Sequence, residues 1–369
     1  MSNGLIQSSG NNQELEEIGW QYLEELLSRS FFDAVQEYYP FLIFGMHDLI
    51  HELAISVAQM ESSNMKVFAQ DICPMTWHIS FPNPSRVPKD ALCSCLGKLS
   101  RIRTVMFEEG SSREFFLEMC ISRFKHLRVI DLYGSSFDIL PSSIGGLNHL
   151  RFLHLSDNRN IKKLPKSVCK LRNLQCLGLG GCRGLEELPA DIKNMISLRV
   201  LFITTRHIGG CENLEALFDD IQSLTSLHKL LIGGCPKLAS LPQGIKNMKA
   251  LEDLWISGGC RNLRLLEGES NEPRFVLRLQ SFIFGGSSEI VSLAGWLEGS
   301  ASTLQRIMTG DCRNLRVLPE WLQNCSSLRT LGIEDCPRLS SLPDGIRCIA
   351  TLTYLQIINC EEIEEEIRC

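Results

Sequence analysis

One phrase, Leu-x-x-apolar-x-apolar, recurs along most of this chain and constrains its fold more than any other feature. It starts at Leu127, Leu150, Leu174, Leu198, Leu227, Leu251, Leu279, Leu304, Leu328 and Leu352, with Thr309 in the last apolar place of the unit at Leu304, at intervals of 23, 24, 24, 29, 24, 28, 25, 24 and 24 residues. A unit this short cannot bury an apolar face alone, so it stacks on copies of itself, and the product is a solenoid. In Leu127-Arg-Val-Ile130-Asp-Leu132 and Leu328-Arg-Thr-Leu331-Gly-Ile333 the fourth and sixth positions fall on one side of a short strand. Such strands, laid side by side about 4.8 Å apart, make a curved parallel sheet with a concave wall. The 369 residues would otherwise suggest two or three domains, and 44% hydrophobic with 22% charged residues excludes a wholly disordered chain.

These units resemble leucine-rich repeats, which implies an α/β solenoid with a curved parallel sheet and short helical turns on the convex side. The resemblance also implies Asn or Cys at a buried turn after each strand. Asn158 fills that place once, and Cys182, Cys211, Cys235, Cys260, Cys312, Cys336 and Cys360 fill it elsewhere, the first six each followed by x-x-Leu-x-x-Leu and Cys360 beginning the same phrase with Ile363. A thiol there is a small buried hydrophobe with a weak donor. Six units continue with Leu-Pro, at Pro141, Pro165, Pro189, Pro242, Pro319 and Pro343. Proline suits a first helical turn, so each should open a convex turn. The long interval from 198 to 227 reads as two repeats fused after a deletion, and the one from 251 to 279 as carrying a surface loop near Gly268 to Pro273. Either could shift the local register by one residue, which would turn every side chain to the other face. Trp77 to Phe81 and Ile102 to Phe107 read as irregular first strands, and the glutamates from Glu361 to Glu366 as a polar cap.

The first seventy residues follow another pattern. Leu15, Ile18, Tyr22, Leu23, Leu26 and Leu27 lie at helical spacing, an aromatic strand runs from Tyr38 to Phe44, and Leu49, Ile50, Leu53, Ala54 and Val57 describe a second helix. Helix, hairpin and helix suggest a small winged-helix unit. Ser28-Arg29-Ser30-Phe31-Phe32 and Phe44-Gly45-Met46-His47-Asp48-Leu49 are similar to the end of the NB-ARC module of plant nucleotide-binding leucine-rich-repeat disease-resistance proteins, coiled-coil subclass. The resemblance implies a winged-helix remnant over 1–70, a connector with irregular repeats over 71–126 and the solenoid over 127–369. It also implies that Met46, His47 and Asp48 form the motif whose histidine faces ADP phosphates in the resting family member.

A P-loop needs Gly-x4-Gly-Lys-Ser/Thr, because glycine amides cradle the phosphates and lysine neutralises them. The sequence has none: its one Gly-Lys pair, Gly97-Lys98, continues Leu-Ser. We therefore expect no cofactor in this chain, ADP or ATP belonging to the full-length family, and a truncated receptor, gene-model fragment or pseudogene product. His47 and His51 stand at zinc-helix spacing, but Asp48 replaces the glutamate of a metalloprotease helix and no third ligand is apparent, so no metal is expected. No catalytic motif appears either, and the chain reads as a binder rather than an enzyme. A net charge of −6 without a basic block argues against nucleic acid. The start lacks a secretory signal and no apolar run could span a bilayer, so a soluble, cytoplasmic chain is expected.

Alternation places Asp131, Tyr133, Phe152, His154, Phe202, Lys229, Asp253, Trp255, Arg306, Glu334, Tyr354 and Gln356 on the concave wall. Aromatic groups mixed with charge suit a protein interface. Alternatively, Phe152 and Phe202 fill the hollow between strands or pack on a nucleotide-binding domain. By resemblance the partners are a pathogen effector or modified host protein, together with the NB-ARC module that the solenoid restrains. The rival reading is a free-standing leucine-rich-repeat scaffold or decoy without a nucleotide switch.

Overall fold

In the computed structural model, residues 15–32, 34–38, 41–58, 61–64, 73–81, 96–97, 99–107, 110, 114–204, 209–263 and 277–363 are the ones the structure describes. The helical spacing near the start becomes α1 (Leu15–Ser28). The aromatic run expected as one strand is divided instead: β1 (Ala34–Tyr38) pairs antiparallel with β2 (Phe41–Gly45), Tyr38 lying opposite Phe41. Helix α2 (Asp48–Ala58) follows, with the Asp48 Oδ1 accepting from the Leu49 amide at 2.7 Å. None of the described side chains of α2 is buried, and Leu49, Leu53, Ile55 and Val57 are all exposed.

The remaining strands join one sheet in chain order, thirteen among the described residues and every adjacent pair parallel. They are β3 (Ser62–Asn64), β4 (His78–Phe81), β5 (Thr104–Phe107), β6 (Val129–Asp131), β7 (Phe152–His154), β8 (Cys176–Gly178), β9 (Val200–Ile203), β10 (Lys229–Gly233), β11 (Asp253–Ser257), β12 (Ser281–Gly285), β13 (Arg306–Gly310), β14 (Thr330–Glu334) and β15 (Tyr354–Ile358). Strands β4 and β5 are the irregular first rungs read from sequence. Strand β3 lies within the first seventy residues yet pairs with β4, Ser62 opposite His78, so the solenoid sheet starts ahead of residue 71.

Both long repeats keep register. Strand β9 pairs directly with β10, Val200 opposite Lys229, and β11 with β12, Asp253 opposite Ser281. No strand stands between β9 and β10 in the sheet. The excess length of the first is carried by a segment in which Thr204 bridges Gly210. The loop expected around Gly268 to Pro273 lies outside the described residues, as do Glu364, Glu365 and Glu366.

The inner strand positions make one continuous core: Ile79, Val105, Ile130, Leu153, Leu177, Leu201, Leu230, Leu254, Phe282, Ile307 and Leu331 are sealed from solvent. At the N-terminal end, α3 (Glu114–Arg123) lies where later units have only short turns, and Phe116 meets Phe81 edge-on with ring centres 4.6 Å apart. At the other end the inner residue Leu355 of β15 is 47% exposed. Each of the six Leu-Pro prolines immediately precedes a 3-10 turn, for example 142–146 and 166–170, and its carbonyl accepts the first turn bond, as Pro141 does from Ile144 at 3.1 Å.

The turn after each strand explains the Asn and Cys positions. Asn158 is fully buried and its Nδ2 donates to the carbonyls of Leu132 and Leu155 at 2.7 and 2.8 Å. Cys182 and Cys211 donate more weakly to Leu155 and Leu179 at 3.1 and 3.2 Å. The preceding residue takes a left-handed conformation, with φ of 61° at Asp157, 72° at Gly181, 49° at Asp311 and 50° at Asp335. Only Gly, Asp and Asn adopt it cheaply, which is why those residues precede the turn. No helix among the described residues is long and apolar enough to cross a membrane.

Candidate functional site

The concave wall is built from three columns of outward positions, the third, fifth and seventh residues of each phrase. Strand pairing aligns the third-position column as Val129, Phe152, Cys176, Val200, Lys229, Asp253, Ser281, Arg306, Thr330 and Tyr354. The fifth-position column runs Asp131, His154, Gly178, Phe202, Leu231, Trp255, Ile283, Met308, Gly332 and Gln356. Tyr133 and Glu334 belong to the seventh, Tyr133 in the turn after β6 and Glu334 at the end of β14.

Three groups result. In the first, the His154 Nδ1 stands 3.0 Å from the Asp131 Oδ1, which also accepts from the Tyr133 amide at 3.0 Å. Rings of Tyr133, Phe152 and Phe202 surround that imidazole at 5.4, 5.9 and 5.5 Å between centres. Phe202 departs from the placement as an exposed aromatic and fits the alternative that it fills the hollow between strands: it is only 9% exposed. Its ring lies over Gly178, where an added Cβ would collide with both Phe202 and His154. Bare glycine on one strand thus lets side chains from the flanking strands meet across it. Phe152 stays half-buried.

In the second group the Lys229 ammonium lies 2.6 Å from the Asp253 Oδ2, one column away from Trp255. Trp255 is half-buried, with its neighbours Leu231 buried and Ile283 half-buried. In the third, Tyr354 donates its hydroxyl to the Gln356 Oε1 at 2.8 Å, while Arg306 is exposed and Glu334 half-exposed. Sequence reasoning left out Leu231, Ile283 and Met308. They occupy the same fifth position as Trp255, so the period marked them; their apolar character hid them among core residues.

Met46, His47 and Asp48 sit at the start of α2, all exposed, with the His47 Nδ1 2.7 Å from the Asp48 Oδ1 and 3.2 Å from the Leu49 amide. Among the described residues no group of three His, Cys, Asp or Glu side chains is placed to hold a metal ion.

Residues 116–307 match the family model for a leucine-rich repeat region, and residues 1–54 match that for the winged-helix domain of disease resistance proteins. A disease resistance protein of Solanum bulbocastanum designated RGA1 is 36% identical over 164 residues, 44% of this chain and 14% of that protein. Disease resistance protein RGA2 of the same plant is 34% identical over 151 residues, 40% of this chain and 13% of its own length. Disease resistance RPP8-like protein 3 of Arabidopsis thaliana is 33% identical over 147 residues, 37% and 16% of the two chains. The chain thus spans about a seventh of the length of these relatives. Among solved structures, a leucine-rich-repeat protein of Leptospira interrogans superposes with a TM-score of 0.49 at 19% identity, over 81% of this chain and 88% of that one.

Proposed function

The chain belongs to the leucine-rich-repeat family and bears the winged-helix domain of disease resistance proteins ahead of its repeats, and from that premise we propose that its concave wall recognises a pathogen effector or a modified host protein in the plant cytoplasm. The observation that carries this reading is the concave wall itself. Half-buried Trp255 stands beside a Lys229–Asp253 ion pair, with Arg306 and Tyr354 exposed further along. Large amphipathic anchors ringed by charge are what protein interfaces use for affinity. The role is binding rather than catalysis. In the resting receptor the solenoid also contacts the NB-ARC module and restrains it, and ligand shifts a two-state equilibrium by binding one state better. Met46, His47 and Asp48 would serve the nucleotide-sensing end of that switch.

The test is Trp255→Ala. Proteins captured from infected and uninfected plant tissue by the wild-type chain are compared with those captured by the variant, on preparations whose melting temperatures are measured together. Loss of a hot-spot aromatic should weaken partner capture by about 2 kcal/mol or more, while the half-exposed ring contributes about 1 kcal/mol to folding. Unchanged capture would remove Trp255 from the interface, and a collapse in melting temperature would make it a core residue.

The rival reading is a free-standing leucine-rich-repeat scaffold or decoy without a nucleotide switch of its own. Co-expression with a nucleotide-binding module supplied as a separate chain separates the two: restored ligand-dependent signalling supports the receptor, and ligand binding without any effect on the module supports the decoy.

A further inference from the structure

We propose that the far half of the concave wall contains a subsite for a basic side chain, arginine or lysine, borne by an apolar segment of the protein partner; the inference rests on the concave recognition argued above. Across β11, β12 and β13 the fifth-position column presents Trp255, Ile283 and Met308 on adjacent strands, each half-buried and so still open to contact. Beyond them the seventh-position column changes character. Gly285 and Gly310 face each other across β12 and β13, and a Cβ on Gly285 would come within 2.7 Å of the Gly310 carbonyl. The neighbouring strand therefore demands glycine, and the missing side chains leave a cavity of about 410 Å³. Ile283 and Met308 line it together with Asp311, Glu334 and Asp335, Glu334 standing opposite Gly310 in the strand pairing.

This arrangement combines an apolar wall with negative charge that is only weakly compensated. The Asp311 carboxylate has only a loose contact, 3.6 Å from the Arg313 Nε, and both side chains are exposed. Asp335 accepts a neutral bond from the Asn359 amide at 2.8 Å. Among the described residues no ion pair or hydrogen bond reaches the Glu334 carboxylate, whereas its backbone carbonyl accepts from the Cys336 thiol at 3.3 Å. Turn geometry places Asp311 and Asp335 on successive rungs, since both hold the left-handed position before a turn cysteine. Stacked like charges repel, and a cation between them removes that repulsion.

The carboxylates do not converge as a metal-binding group. They suit an organic cation on a long apolar stem, because lysine and arginine lay their methylenes along apolar surface while the charged head stays at the rim. Guanidinium adds bidentate bonding to carboxylate. Ile283 and Met308 would take the stem, the acidic rim the head, and Trp255 the adjacent apolar side chain of the same segment.

A phage-displayed random dodecapeptide library panned on the full chain tests this. Captured peptides should be enriched in arginine or lysine next to apolar residues. A synthetic copy of the most enriched peptide should lose about tenfold in affinity on the Glu334→Gln/Asp335→Asn chain, and also on the Trp255→Ala chain. Asn tolerates the left-handed backbone at 335, so the acidic-rim variant should fold as the wild type does, checked by melting temperature. Peptides lost with Trp255→Ala but indifferent to the rim variant, or enriched in acidic or uncharged residues, would overturn the basic subsite and leave concave recognition standing. Peptides indifferent to both variants, or no capture above background, would overturn both.

Discussion

Replacing Asn158 with alanine should destabilise the solenoid by about 3 kcal/mol, and replacing it with cysteine by about half as much. The side chain is fully buried and bridges two rungs, donating to Leu132 at 2.7 Å and Leu155 at 2.8 Å and accepting from the Phe137 amide at 3.4 Å. Each of the two short bonds is worth roughly 1 kcal/mol net, and an abandoned buried amide costs about 1 more. The loss is limited because both carbonyls keep a second donor: Ser135 at 3.2 Å on Leu132, and the Asn158 amide at 3.2 Å on Leu155. Cysteine restores part of it, since Cys182 in the next unit already donates to Leu155 at 3.1 Å from the equivalent place. Urea unfolding followed by far-ultraviolet circular dichroism gives the overall change. Amide hydrogen exchange at Phe137 should be read alongside it, because a stack of repeats can open locally before it unfolds. Alanine within about 0.5 kcal/mol of wild type, or alanine and cysteine indistinguishable, would show that the turn position is held by shape and not by hydrogen bonding.

Other outcomes follow from the thiols and from the phosphate chemistry. Burial pushes the Cys176 and Cys182 thiols up to about 12 and those of Cys169 and Cys325 up to about 11. Above the ordinary thiol value the unfolded chain loses these protons first, so it binds fewer than the native state and stability falls as pH rises from about 9 towards 12; a urea midpoint constant across that window would refute it. Thiol reagents should modify exposed Cys348 at once and reach Cys182, Cys235, Cys312 and Cys336 only on unfolding, whereas a native disulfide among those four would contradict the structure. Calorimetry of this chain with ADP or ATP should be flat for want of a phosphate cradle, and micromolar binding would be a direct counterexample.

What could be read from the sequence was whatever repeats. Strand positions, the Asn and Cys turn and the proline-led 3-10 turns each occur many times, so one physical rule accounts for all copies. Single events were harder. The run from Tyr38 to Phe44 is apolar throughout, and hydrophobicity does not say where a chain reverses, although Pro40, with no N–H for a ladder, stood between the two strands. Strand β3, Ser-Ser-Asn, has no apolar alternation and is a strand only because β4 offers it a ladder. The site shows the same division. Alternation along its strand gives Phe202 an outward position, but its burial depends on Gly178 a whole unit earlier, a relation between neighbouring strands that a pattern along one strand does not carry.

The uneven repeats explain why the wall can be continuous while its outer loops are not. In each unit the carbonyl of the second residue of the phrase accepts two amides from the next rung. Arg128 accepts from Arg151 and Phe152 at 2.8 and 3.0 Å, and Arg199 from His228 and Lys229 at the same two distances. The second case spans the 29-residue interval, and Glu252 receives Gln280 and Ser281 identically across the 28-residue one. Register is thus set at the entrance to each strand, before the chain reaches its variable return. Extra loop length costs only slowly growing closure entropy, whereas a slip of one residue would expose a buried leucine and bury a charge. Returning segments can therefore lengthen without moving Trp255, Ile283 or Met308 out of line. A recognition surface built this way changes its chemistry by substitution in three columns while the core beneath it stays fixed.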